Sequence, residues 1–208
     1  MKRQLSIVQH HPAEGPGEIG VWADRLGVTC TIHRADLGEL PVGDIEACVL
    51  LGGPHAVSDP PDWMRREKAW LGERIAGGTR LLGVCLGSQL LAEALGGSVH
   101  RLERPETGWH RVEFADGSRL DVLQWHEDAF TLPPGAERLG RNVLCEQMFR
   151  AGARHLGIQF HPEWNPLLVA ALNDHFGDAS PLPRVADAQR HETLSRWLHP
   201  VLDDWFDR

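Results

Sequence analysis

The sequence predicts an α/β fold: an open, mostly parallel central sheet with helices on both faces and a small antiparallel hairpin. Three observations carry this. Short apolar runs alternate with helical patterns through the first half of the chain, the rhythm of strands joined by crossover helices. The run Ala47-Cys48-Val49-Leu50-Leu51 is apolar without alternation, as in a central strand covered on both faces. After residue 98 two alternating stretches flank Ala115-Asp116-Gly117, where Asp-Gly supplies a hairpin turn.

In chain order, Leu5 to Gln9 reads as the first strand and Glu18 to Leu26 as a helix stopped by Gly27. Val28 to Arg34 is a second strand, and the Ala47 run, ending in Gly52-Gly53-Pro54, a third. Asp62 is placed to cap a helix from Trp63 to Ala76 that Gly77-Gly78 ends. Leu81 to Val84 is a fourth strand, followed by a helix from Ser88 to Leu95 closed by Gly96-Gly97. Gly108 to Phe114 and Arg119 to Gln124 form the hairpin; Leu156 to Phe160 is a further strand and Pro166 to Phe176 a further helix. Gly177 to Arg184, with Pro181 and Pro183, is the only linker-like stretch.

The chain has 208 residues, enough for one compact domain with a real core. Its formal net charge of −8 disfavours a nucleic-acid or anionic-membrane partner. The amino-terminal apolar stretch ends at Gln9-His10-His11, too soon for a signal peptide, and no stretch approaches a membrane span. Cys30, Cys48, Cys85 and Cys145 are widely spaced, without a Cys-x-x-Cys pair, so a reducing cytoplasm is the expected location.

Three segments carry chemistry. Gly83-Val84-Cys85-Leu86-Gly87 lies between a predicted strand and a predicted helix. It has the form of a nucleophile elbow, in which small residues allow a tight turn that lifts the nucleophile above the sheet. The helix that follows aims its free N–H groups at the sulfur and favours the thiolate. A buried structural cysteine fits the same turn. In Gly157-Ile158-Gln159-Phe160-His161-Pro162-Glu163, Pro162 holds His161 extended. Residues two apart in an extended chain share a side, so Glu163 can fix the His161 ring as the orienting group of a nucleophile–base set. After the third strand, Gly53 offers an exposed N–H that, with that of Leu86, could bind an oxyanion. A plain strand-ending turn fits Gly-Gly-Pro equally well.

Taken together these segments resemble the class I (triad) glutamine amidotransferases. The pieces stand in family order, and Trp125-His126-Glu127-Asp128 followed by Leu132-Pro133 is similar to the GMP-synthase-like subgroup. The resemblance covers roughly residues 5 to 175. It implies a flavodoxin-like fold, with residues 1–176 as the amidotransferase-like domain and residues 177–208 as a linker and helical extension. It implies that Cys85 attacks the side-chain amide of glutamine and that His161, oriented by Glu163, moves the proton. Gly53 and Leu86 would supply the oxyanion N–H groups; Gln89, His126 and Glu127 match substrate-binding positions. A γ-glutamyl thioester would then be hydrolysed by water, with no cofactor. Either a separate synthetase chain receives the ammonia, or a small γ-glutamyl compound is hydrolysed unaided. His55, where the family often has a small residue, puts the identity of the γ-glutamyl substrate in question. With only some 30 residues after the matched region, no synthetase domain like that of GMP synthase is expected in this sequence, and no phosphate-binding loop pattern occurs in it.

Other readings are weaker. A Cys-variant α/β-hydrolase runs nucleophile, acid, then His, whereas His161 precedes Glu163 here. A non-catalytic binding protein on the same fold leaves the Cys85, His161 and Glu163 set unexplained. Twelve histidines show no metal-ligand spacing, so no metal is expected. The tail carries Leu194, Trp197, Leu198, Val201, Leu202, Trp205 and Phe206 on one helical stripe, with a kink expected at Pro200 or two short helices, the second starting near it. That stripe docks on this chain's own core, on a second copy in a homodimer, or on an ammonia-using partner.

Overall fold

The computed structural model describes residues 3–207. A single sheet of nine strands runs through it in the order β2-β1-β3-β4-β9-β8-β7-β5-β6. One half is parallel: β1 (Gln4–Gln9), β2 (Thr29–Arg34), β3 (Ala47–Leu50), β4 (Arg80–Val84) and β9 (His155–Ile158). Their connections carry α1 (Gly17–Arg25), α2 (Asp62–Ala76) and α3 (Leu86–Ala94). As the unbroken apolar run requires, β3 is buried at all four positions. Two hydrophobic clusters hold the molecule. One unites Ile7, Trp22, Val49, Leu82 and Ile158 with the carboxyl-terminal helix; the other unites Val8, Leu50, Met64, Leu71 and Leu90.

The other half of the sheet is antiparallel, which corrects the expectation of a mostly parallel sheet with one small hairpin. The hairpin turns at Asp116-Gly117 as expected, but its arms are long: β5 (Val99–Phe114) and β6 (Arg119–Phe130). Two further strands, β7 (Glu137–Arg141) and β8 (Glu146–Ala151), join it to β9. Their sequences are rich in charge and lack strict alternation because the pairing contains register shifts; a bulge moves successive side chains out of the period of two.

Three smaller expectations change. Asp62 is the first residue of α2 rather than its cap; Pro61 precedes it and the Asp62 side chain pairs with Arg65 at 2.6 Å. Helix α3 begins at Leu86, directly after Cys85. The tail lies in one helix, α5 (Ala188–Asp207), not two short ones, with the exposed Pro200 inside it. Helix α4 (Pro166–Phe176) is capped by Asn165, whose side chain accepts the Leu168 N–H at 3.0 Å. The apolar stripe of α5 packs on this chain: Leu194, Leu198, Leu202, Trp205 and Phe206 are all buried in the first cluster. Trp22 stands edge-on to Phe206 and donates from Nε1 to Asp203 at 2.8 Å.

Candidate active site

The parallel strands end on one side of the sheet, where open α/β folds present their ligand sites. Cys85 follows β4 there, with φ 49° and ψ −111°; it is the one non-glycine residue with positive φ among the described residues. Such backbone is costly and is held by its surroundings. The Cys85 N–H donates to the Ile158 carbonyl at 2.8 Å. The flanking glycines have steric reasons. A Cβ on Gly83 would come within 2.6 Å of Ser88 Cα, and one on Gly87 would run into the Leu50 carbonyl. Gly-x-Cys-x-Gly therefore lets α3 turn back tightly over β3 and β4.

His161 follows β9, the strand beside β4. Its backbone N–H donates to Leu123 of β6 at 2.9 Å, and its ring is buried. Nδ1 donates to Glu163 Oε1 at 2.8 Å, and the Cys85 thiol, directed to the Trp125 carbonyl at 3.9 Å, interacts electrostatically with the imidazole. Burial opposes a charge on His161, but Glu163 and Cys85 overcome it and push its pKa up to about 10. Trp164, which the sequence reading did not select, stacks on the imidazole with ring centroids 3.5 Å apart.

Cys85 and His161 open into a cavity of about 260 Å³ whose walls include Gly53, His55, Leu86, Gln89, Trp125 and His126. Leu86 is the first residue of α3, so its N–H has no acceptor within the helix. The Gly53 N–H likewise meets no backbone acceptor among the described residues. The remaining expected residues sit differently. Gln89 lines the cavity, but its Nε2 is engaged by the Asp128 carbonyl at 2.9 Å. His126 lines the wall with Nε2 turned to Glu106 at 3.2 Å. Glu127 stands exposed at the rim and pairs with Arg101. His55 is exposed and set edge-on to Trp63.

Beneath the Gly52-Gly53 turn lies a His–Glu pair that the sequence did not reveal. His10 contacts the carbonyls of Leu51 (2.9 Å) and Gly52 (3.2 Å) through Nδ1, and Glu67 of α2 through Nε2 at 2.9 Å. With acceptors at both nitrogens the ring is held as an imidazolium; burial works against the charge, but Glu67 raises the His10 pKa on balance. A Cβ on Gly53 would come within 2.8 Å of His10 Cβ. The pair thus fixes the turn that presents the Gly53 N–H. Glu14 is also buried in the cavity wall. It lies in the loop between β1 and α1, two residues before Pro16, the N-cap residue of α1.

One group of metal-ligating atoms occurs among the described residues: Glu106, His126 and Cys145, within 4.8 Å of one another. The Glu106 carboxylate already accepts from Asn142 Nδ2 (2.5 Å), Gln147 Nε2 (2.8 Å) and the Cys145 thiol (3.3 Å). This hydrogen-bond shell satisfies a buried carboxylate by itself.

The profile of the family described as Glutamine amidotransferase class-I matches residues 23–168. A glutamine amidotransferase-like protein of Salmonella typhimurium is 28% identical over 192 residues, covering 83% of this chain and 80% of that protein. A GMP synthase (glutamine-hydrolyzing) of Azoarcus sp. is 30% identical over 157 residues, covering 65% of this chain; the match spans only 29% of that enzyme's length. A solved glutamine amidotransferase of Thermotoga maritima superposes with a TM-score of 0.90 at 26% identity, over all of both chains. The elbow, the His-x-Glu strand end and the profile match across most of the sequence agree, and the chain belongs to the class I glutamine amidotransferases.

Proposed function

We propose that this protein hydrolyses the side-chain amide of glutamine through a γ-glutamyl thioester on Cys85. The observation that carries the reading is the convergence of Cys85 and His161 on one cavity, with Glu163 bonded behind the imidazole, beside two amides without backbone acceptors. His161 takes the thiol proton, and the sulfur attacks the amide carbon. The developing oxyanion accepts from the Gly53 and Leu86 N–H groups, which are pre-aimed and need no reorganisation. His161 then gives its proton to the departing nitrogen, and ammonia leaves. Water, deprotonated by the same imidazole, attacks the thioester, releases glutamate and restores the thiol. Glu163 holds the ring and stabilises the imidazolium in both halves.

His126, Glu127 and Gln89 are proposed to contact the amino-acid end of the substrate, Gln89 through the wall it ties to Asp128. A second chain that consumes the ammonia is the partner we propose. The support is the Azoarcus relative, whose name couples glutamine hydrolysis to GMP synthesis and whose length far exceeds the matched part. The test is covalent trapping with a glutamine-like diazoketone, read by peptide mass spectrometry. One adduct on Cys85, blocked by excess glutamine, is expected. Labelling insensitive to glutamine, or confined to Cys30, Cys48 or Cys145, would overturn the reading.

A further inference from the structure

Glu14 is the buried titratable group in the cavity that the reaction above does not use. It is 7% exposed and lines the same cavity as Cys85 and His161. No side-chain hydrogen bond or ion pair engages its carboxyl group among the described residues. A buried carboxyl without a partner is destabilising in its own right. Its neighbour is the catalytic ring. A Cβ on Gly52 would lie 2.7 Å from Glu14 Oε2 and 2.8 Å from His161 Cε1, two distances that together bound their separation at 5.5 Å. Glycine at position 52 is what allows the carboxyl and the imidazole to face each other. Other elements hold Glu14 there: the Gly17 N–Cα unit leaves no room for a side chain against the Glu163 carbonyl, and the Glu18 N–H donates to that carbonyl at 2.8 Å.

We propose that Glu14 is a positioning residue for the nucleophile pair: a second carboxylate, at the Cε1 edge of the His161 ring, that holds the imidazolium proton while Cys85 is a thiolate. The inference rests on Cys85 and His161 forming the reactive pair and extends that reading. Glu163 engages Nδ1 and fixes orientation; Glu14 acts through space. The groups that face it are His161 and His10, which favour its charge, and Glu163, which opposes it. Burial is the largest influence and raises its pKa to about 7. Glu14 therefore gains its charge across the neutral range, and support for the imidazolium rises with it. The proton that His161 takes from Cys85 stays on the imidazole until the departing nitrogen receives it; no bond to Glu14 forms or breaks.

The test needs no glutamine. Alkylation of Cys85 by iodoacetamide is followed against pH by peptide mass spectrometry in wild type, Glu14→Gln and Glu14→Ala. Ring NMR of His161 in wild type provides a measurement that does not depend on a variant folding. In wild type the His161 signals should show an inflection near neutral pH in addition to their own titration. In Glu14→Gln the acid limb of the alkylation profile should shift by about one pH unit, with a rate at pH 7.5 lowered by up to about tenfold. Superimposable profiles in wild type and a folded Glu14→Gln, or a His161 signal without the neutral inflection, would overturn the proposal. A shifted profile in a protein that does not hydrolyse glutamine would sustain Glu14 while removing glutamine as the substrate.

Discussion

At the scale of single residues, the proposed reaction separates groups that would react from groups that would prepare them. Cys85→Ala removes the sulfur and should lower glutamine hydrolysis by about 10⁴-fold or more, with melting unchanged; ammonia release measures the first and calorimetry the second. Turnover retained in this variant would mean that another group is the nucleophile. Glu163→Gln keeps the shape of the 2.8 Å contact with His161 but removes its charge. A smaller loss is expected, because Cys85 and His161 remain, and rates equal to wild type would remove Glu163 from the reaction. Cys85, His161 and Glu163 were legible because each stands in a local pattern, an elbow or a strand end, whose geometry follows from a few neighbouring residues. Glu14, Trp164 and the His10–Glu67 pair were not. Their surroundings are made by chain segments far apart, as when α2 brings Glu67 to His10, and no short pattern encodes such a meeting. Gln89 shows the converse. Its position was legible, but its hydrogen bond to the Asp128 carbonyl depends on β6 being where it is.

At the scale of elements, α5 is the clearest case. Its stripe of apolar residues was legible as a helix face, while what it covers was not, since periodicity reports burial and not the partner. The structure seats it against α1 and across both halves of the sheet, with Trp22 on Phe206 and Phe114 of β5 on Trp197. Arg150 and Asp204 tie it to β8 at 2.8 Å. Truncation after Arg184 would expose that face. Each large buried side chain lost costs about 2–5 kcal/mol, so five of them cost about 10–25 kcal/mol, as much as or more than the roughly 5–15 kcal/mol that holds a typical domain together. The truncated chain should be unfolded or aggregated by circular dichroism and size-exclusion chromatography. A folded, monomeric product would show that the stripe is dispensable to this core. The parallel strands were legible because burial on both faces leaves continuous apolar runs. The register shifts in β7 and β8 erased the alternation that would have marked them.

At the scale of the whole molecule, the charge state of the cavity sets how stability varies with pH. Two of the groups that line the cavity hold protons more tightly in the folded chain than in the unfolded one: Glu14, raised from 4.5 to about 7, and His161, raised from 6.5 to about 10. Their contributions are fully present below the unfolded values and are lost as pH rises through the folded ones. Melting temperature should therefore fall between pH 5 and pH 9. At pH 8 the ionised Glu14 costs about 3 kcal/mol as an upper figure, so Glu14→Gln should melt several degrees higher than wild type there and show a flatter profile between pH 4.5 and 7. A steeper profile, or a lower melting temperature at pH 8, would contradict this. The site is thus built at the expense of stability, as strained functional sites commonly are. The sheet order has a consequence in time as well. Cys85 and His161 sit on neighbouring strands, β4 and β9, yet the entire antiparallel half is threaded between them. On a ribosome the thiol emerges 76 residues ahead of its base (161 minus 85). At about 5–20 residues per second that interval lasts several seconds. Throughout it Cys85 is without the imidazole that the proposed reaction requires, and the pair meets only when the last strand closes the sheet.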